Sequence, residues 1–279
     1  MEKSKGLKLR LAFYVLLTLG LVFIMIFGEK IAPYDPYKNN FFAIDVAPCR
    51  EHWMGTDNLG RDLFSRILTG ARSSLGATFA VVAATGVIGT LVGVVAGYFG
   101  GALDRVVQKI LLVFQSFPGQ ILAIAVAGVL GAGTKNAALA LIVIGWMANA
   151  RLARSLTMQL RSSVFIKAAR LCGCSSGYII FHHILPNIGK MMVVSIMLSL
   201  SGTMMEISGL AFLGLSSKPP YPEWGFMINE GRKVLMTTPW HALMPGLAIF
   251  LSVIILNRLG DSVQDYMEYT KGSVGSLRK

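Results

Sequence analysis

The sequence predicts an all-α membrane protein with six transmembrane helices and both termini on one side. Composition is the first observation: 54% of the 279 residues are hydrophobic and 14% are charged, against roughly 25% charged in an average soluble domain. The second is that apolar runs, most of them near the ~20 residues a spanning helix needs, recur six times between polar connections. The third is a glycine spacing suited to close helix contact in lipid, described below.

The predicted spans lie at 11–28, 75–98, 110–130, 137–151, 188–210 and 243–259. The first follows Lys3, Lys5, Lys8 and Arg10. It reads as a retained anchor and not a signal peptide, because Glu29-Lys30-Ile31-Ala32-Pro33 offers no small-x-small cleavage site. Residues 1–28 form the first unit, and 29–74 an outer segment in which Leu63, Ile67 and Ala71 recur every four residues. That spacing predicts a short helix on the membrane surface, with Arg66 and Arg72 reaching headgroups.

The second span carries Gly86, Gly89, Gly93 and Gly97. Small residues at this spacing let helices approach closely where packing, not hydrophobic drive, holds them. The third span is interrupted at Gln115-Ser116-Phe117-Pro118-Gly119, a break that must be satisfied within a bundle or beside a cavity. The fourth is short. Residues 211–242 form an outer loop whose prolines order it and whose stretch from Met227 to Met236 predicts a short amphipathic helix. The core spans 75–268, and the polar tail 269–279 is expected to fray.

Orientation follows from the Lys and Arg retained in the cytoplasm. With both termini inside, sixteen Lys and Arg fall on that side and ten on the other. The net charge of +12 is therefore a topology signal, and no basic-aromatic module points to nucleic acid. Cys49 falls outside and Cys172 and Cys174 inside, so no disulfide framework is expected.

Catalytic chemistry finds little support. No HExxH, GxSxG, Walker A or paired-carboxylate motif occurs. Glu206 is the one ionisable residue placed at depth, and such residues are functional candidates by default. Beside it stand Met204 and Met205, which suit either a soft-metal route or ordinary packing. A self-sufficient channel or secondary transporter would need more polar groups at depth than Glu206.

The most distinctive stretch is the loop 152–187, which contains Phe165 to Asn187. Residues 151–190 hold six Lys or Arg and no Asp or Glu. On a helix Phe165, Ala168, Ala169 and Cys172 share one face while Lys167 and Arg170 lie opposite. Gly173 permits a sharp turn, and Leu185-Pro186-Asn187 opens the next span. The product is a helix, a turn and a helix with a small-residue crest, suited to close approach by a partner. A metal site is the weaker reading: Cys172 and Cys174 converge only if the helix breaks at Gly173, and His182 and His183 diverge.

With these residues in view, the chain resembles the inner-membrane permeases of ATP-binding cassette importers for dipeptides, oligopeptides and nickel, over nearly its whole length. The resemblance rests on Gly55-Thr56-Asp57, Leu59-Gly60-Arg61-Asp62, Ser65-Arg66, Gly70-Ala71-Arg72, Pro222-Glu223-Trp224-Gly225 and Pro245-Gly246. It implies the type I importer permease fold in the cytoplasmic membrane of a prokaryote. It also makes the loop before the fifth span an EAA-type coupling loop that docks into an ATPase, with Lys167, Ala168, Ala169, Gly173, Ser175, Leu185, Pro186 and Asn187 at its matching positions. Lys167 stands where that motif often has Glu. The partners implied are a second, similar permease, two ATPase subunits and an outer substrate-binding protein. ATP would be used by those ATPases, with no cofactor and no catalytic residue in this chain. For substrate, Gly128 to Asn136, Arg170 to Gly173 and Glu223 to Pro239 look more like nickel members, with di- or oligopeptides the alternative.

Overall fold

The computed structural model describes the backbone of residues 2–276 and the side chains of residues 5–269. The chain is helical throughout its spans: α1 (Glu2–Ile31), α2 (Leu63–Phe99), α3 (Gly101–Gln115), α4 (Gly119–Leu130), α5 (Thr134–Arg161), α6 (Val164–Leu171), α7 (Ser176–Ile179), α8 (Leu185–Phe212), α9 (Trp224–Gly231) and α10 (Trp240–Ser276). Five helices are long and apolar enough to cross a membrane, or six if the bent pair α3 and α4 is one span. The termini share one end of the bundle, where Arg10 on α1 pairs with Asp265 on α10. α10 continues past the expected limit of order near Tyr269 as far as Ser276, and 277–279 lie outside the described residues.

Helix α2 is the centre. The short helix expected over 63–71 leads into the second span as the first turns of α2, within the bundle and not on the membrane surface, because Asp62 caps the helix by accepting from the Ser65 N–H and nothing breaks it before Phe99. Leu63, Ile67, Ala71 and Leu75 are buried, packed with Trp224, Met227 and Leu256 in one core. Their four-residue repeat marks a face turned to protein, not to lipid. On the opposite side α5 lies along the glycine row. A methyl group at Gly89 would strike the Trp146 carbonyl oxygen, one at Gly93 the Ala150 carbonyl oxygen, and one at Gly97 would come within 2.8 Å of the Arg154 carbonyl. In lipid, where apolar burial drives association weakly, such backbone contact supplies the dispersion energy that holds the pair. Gly86 instead packs against the Ile196 side chain of α8, and Gly28 of α1 meets the backbone of Leu68.

The predicted interruption is real. α3 and α4 meet at 88° across Ser116, Phe117 and Pro118, since Pro118 cannot donate within a continuing helix and biases Phe117 away from helical geometry. α5 is much longer than the apolar run 137–151. Its basic second half is accommodated by α3, where both Asp104 oxygens accept from the Arg154 guanidinium and Gln115 accepts from Arg151 at 2.6 Å.

Between α7 and α8 the chain forms a π-helical stretch, Ile180–Ile184. Leu185 donates to the Ile180 carbonyl across five residues. Pro186 follows directly and has no N–H to give, so a widened turn is a natural adjustment at this point.

Candidate functional site

At one end of the bundle the segment between α1 and α2 folds into a tight polar knot. Gly55 and Gly60 have φ of +78° and +73°, and a side chain at Gly60 would collide with the Asn40 carbonyl, so both turns require glycine. Asp57 accepts from the Leu59 and Arg61 N–H groups and from Arg61 Nε at 2.7 Å. Asp62 accepts from Ser65 and approaches His52 Nδ1 at 2.9 Å. Arg66 does not reach headgroups: it is 1% exposed, donates to the Pro36 carbonyl at 3.0 Å, and lies 3.5 Å from Asp57 and 3.9 Å from Glu230. A buried guanidinium needs such partners. Arg72 is exposed and 4.0 Å from Glu29.

The loop between α8 and α9 locks onto this knot through Glu223, which is fully buried. It caps α9 by accepting from the Gly225 and Phe226 N–H groups and from Ser74 Oγ at 3.0 Å. Trp224 Nε1 donates to the Ile67 carbonyl. Burial raises the pKa of Glu223 above the ordinary glutamate value, against the lowering effect of those three hydrogen bonds. Burial likewise raises that of Glu230, opposed by Arg66.

Deeper in the bundle, α4, α5 and α8 bound an open cavity of about 570 Å³. Gly119, Gln120, Ala123 and Ile124 line it from α4, Leu141, Ile144 and Gly145 from α5, and Met205, Glu206 and Gly209 from α8. The Pro118 bend carries Gly119 and Gln120 to its wall. The three residues expected along a pathway divide. Met205 and Glu206 line the cavity, whereas Met204 is wholly buried in the core with Leu200 and Leu256. Adjacent helical residues point about 100° apart, so the trio cannot share a face. Gln120 and the α5 wall carried no motif. The sign of them in the sequence was the break at Pro118, which exposes the start of a new helix.

At the opposite end from the knot, the loop between α5 and α8 forms the crest. α6 ends in a Schellman turn: Gly173 has φ +81°, its N–H donates to the Arg170 carbonyl at 3.0 Å, and the Cys174 N–H donates to the Ala169 carbonyl at 3.1 Å. Ser175 then caps α7. Ile166, Ile179 and Ile184 anchor the crest to Val94, Tyr98 and Ala153, while Arg170 sits 4.9 Å over the Tyr98 ring. Lys167, Ala168, Gly173, Ser175, Pro186 and Asn187 are exposed, and Ala169 and Leu185 are half-buried. Val164 at 83% and Leu171 at 89% exposure stand out from the crest, two apolar side chains that the small-residue reading overlooked. His182 stacks on Tyr178 at 4.2 Å. Among the described residues no three His, Cys, Asp or Glu side chains converge, and the three cysteines are free.

The crest is continuous with both α5 and α8, and these same helices form two walls of the cavity. Gly145 lies sixteen residues before the end of α5, about 24 Å at 1.5 Å per residue.

Residues 89–269 match the family described as the inner membrane component of binding-protein-dependent transport systems. The chain is 40% identical over 256 residues to the glutathione transport system permease protein GsiD of Pectobacterium atrosepticum, covering 91% of this chain and 84% of that one. It is 41% identical over 260 residues to the GsiD of an Escherichia coli strain, at 92% and 84% coverage. It is 36% identical over 267 residues to the dipeptide transport system permease protein DppC of Alkalihalophilus pseudofirmus, at 96% and 88% coverage. A bundle of apolar helices with a broken third span and a cavity, matched to that family over most of its length, is a multi-pass, non-catalytic membrane subunit: the chain belongs to the permeases of binding-protein-dependent ATP-binding cassette importers.

Proposed function

We propose that this permease forms half of a translocation pathway for short peptides and is driven through its crest by a separate ATPase. The observation that carries this reading is the continuity of the crest with α5 and α8, two walls of the cavity. A rigid displacement of α6 and α7 is thereby transmitted to both walls, the type of lever by which two packed arrangements interconvert. The exposed apolar residues Val164 and Leu171, at the two ends of α6, with the turn after Leu171 stiffened by two hydrogen bonds, suit a cleft in a partner.

In this reading the termini and crest are cytoplasmic and the knot is external, in keeping with the Lys and Arg distribution. The assembly comprises a second permease, two ATPases and an outer binding protein. ATP is used by the ATPases, and this chain holds no cofactor. For the substrate, the relatives named for glutathione and dipeptides outweigh the short stretches that resembled nickel permeases, so di- and tripeptides become the first reading and nickel the second. The test is uptake of a labelled dipeptide, labelled glutathione and radioactive nickel by cells with and without the gene. Peptide uptake lost with the gene supports the proposal. Loss of nickel uptake alone, with both peptides unaffected, refutes its substrate.

A further inference from the structure

The cavity between α4, α5 and α8 has a volume of about 570 Å³, within the ~300–1,000 Å³ usual for small-molecule sites. Its walls are aliphatic or glycine except for Gln120, Met205, Glu206 and the aromatic Phe212. Glu206 is the one ionisable side chain among the lining residues, and among the described residues it has no hydrogen bond or ion pair. Asp104 and Glu223, by contrast, are matched. Asp104 is held by Arg154, and Glu223 by Ser74 and two backbone N–H groups. Glu206 is exposed on the wall of the open cavity, and an unmatched carboxylate in a membrane helix is costly unless water or a cation comes to it.

We infer that Glu206 receives the α-ammonium group of a short peptide in transit and so acts as a specificity-determining residue of the pathway, an inference that rests on the peptide reading above. The chemistry of the wall favours that cation over a metal. A primary ammonium carries one charge and three N–H donors, which the Glu206 carboxylate and the Gln120 amide oxygen on the same cavity lining can accept, leaving the apolar walls for side chains of varied kind. A dehydrated divalent ion would require four to six ligands, and the wall offers only Glu206, Gln120 and the Met205 thioether. Apolar walls with one fixed charge also suit a substrate class in which only the amino terminus is constant.

The experiment uses the complete transporter in vesicles, both permeases with the ATPases and the binding protein, and a radiolabelled dipeptide with a free amino terminus. Glu206→Gln keeps the shape and removes the charge. Uptake is expected to fall about tenfold or more, the scale of losing one charge-assisted hydrogen bond, while all subunits still copurify in wild-type ratio. Glu206→Asp is expected to restore at least a third of the wild-type rate, a rescue that a purely structural role would not give. Uptake by Glu206→Gln within twofold of wild type overturns the inference and leaves the peptide reading standing. So does loss of the second permease from the purified Glu206→Gln complex, which would assign Glu206 to the contact between permeases, or a Glu206→Asp variant as inactive as Glu206→Gln. If the wild-type transporter carries no peptide at all, the peptide reading fails and this inference with it.

Discussion

Substitution at Gly173 separates two reasons for a glycine at the crest. The residue has φ +81° and anchors the two hydrogen bonds that end α6, yet a Cβ built on it would meet nothing within 4 Å. Within this chain the cost is therefore backbone strain alone. A left-handed conformation costs an L-residue about 1–2 kcal/mol, with Asn tolerated better than Ala and β-branched residues worst. That amount shifts a local equilibrium by a factor of about 5–30 without unfolding a protein whose stability is several times larger. If the crest geometry alone limits coupling, peptide uptake by the reconstituted transporter is expected to decline in the order Gly173, Gly173→Asn, Gly173→Ala, Gly173→Val, with equal amounts of permease in the membrane. Copurification of the ATPase should follow the same order. Asn is larger than Ala, so a partner pressed against the turn would reverse their ranks. A near-wild-type Gly173→Ala beside a severely impaired Gly173→Asn would refute the strain argument and assign the glycine to close approach. Unchanged uptake by all three would refute a coupling role for the crest.

Gly93→Ala places a methyl group against the Ala150 carbonyl and 2.8 Å from the Ala153 Cβ, so thermal unfolding in detergent should show a loss of about 1–3 kcal/mol, whereas Gly128→Ala, with nothing within 4 Å, should be neutral or mildly stabilising. The buried carboxyls Glu223 and Glu230 have raised pKa values. A raised carboxyl stabilises the fold most fully below its unfolded value of about 4.3, and that contribution is lost as pH rises through the folded value. Melting temperature should accordingly fall with pH above about 4.3, and Glu223→Gln should flatten the slope; an unchanged slope in that variant would exclude Glu223 as a source. Cys49 and Cys172 are both exposed, one beside the knot and one on the crest. A membrane-impermeant maleimide should reach Cys49 in intact cells and Cys172 only in inverted vesicles, and labelling of both from one side would overturn the assigned topology.

Some of the design was legible because its causes are local. Apolar runs mark spans wherever they occur, since a backbone in lipid must satisfy its own hydrogen bonds. Pro118 ends a helix by its missing N–H, and Gly173 ends one by its access to left-handed geometry. The glycine row on α2 announced a close contact, although it could not name α5 as the partner. Other readings failed where a face had to be matched to a distant neighbour. Leu63, Ile67 and Ala71 gave the correct helical period, but the period is the same whether that face meets lipid or, as here, Trp224 and Leu256. Arg66 passed for a headgroup ligand because its acidic partners Asp57 and Glu230 lie nine and 164 residues away. The helix of the fourth span runs beyond 151 because Asp104 on α3 neutralises Arg154 and Gln115 accepts a hydrogen bond from Arg151, partners that hydropathy does not count.

The sequence by itself thus determined the membrane class, the broken third span, the crest and its glycine turn, all of them consequences of chemistry within a few residues. Tertiary structure alone decided that Met204 packs in the core while Glu206 stands on an open wall, that Glu223 clasps the outer loop to α2, and that the crest and cavity share two helices. Those outcomes depend on which helix faces lie together in space, and no local sum of hydropathy or propensity carries that information.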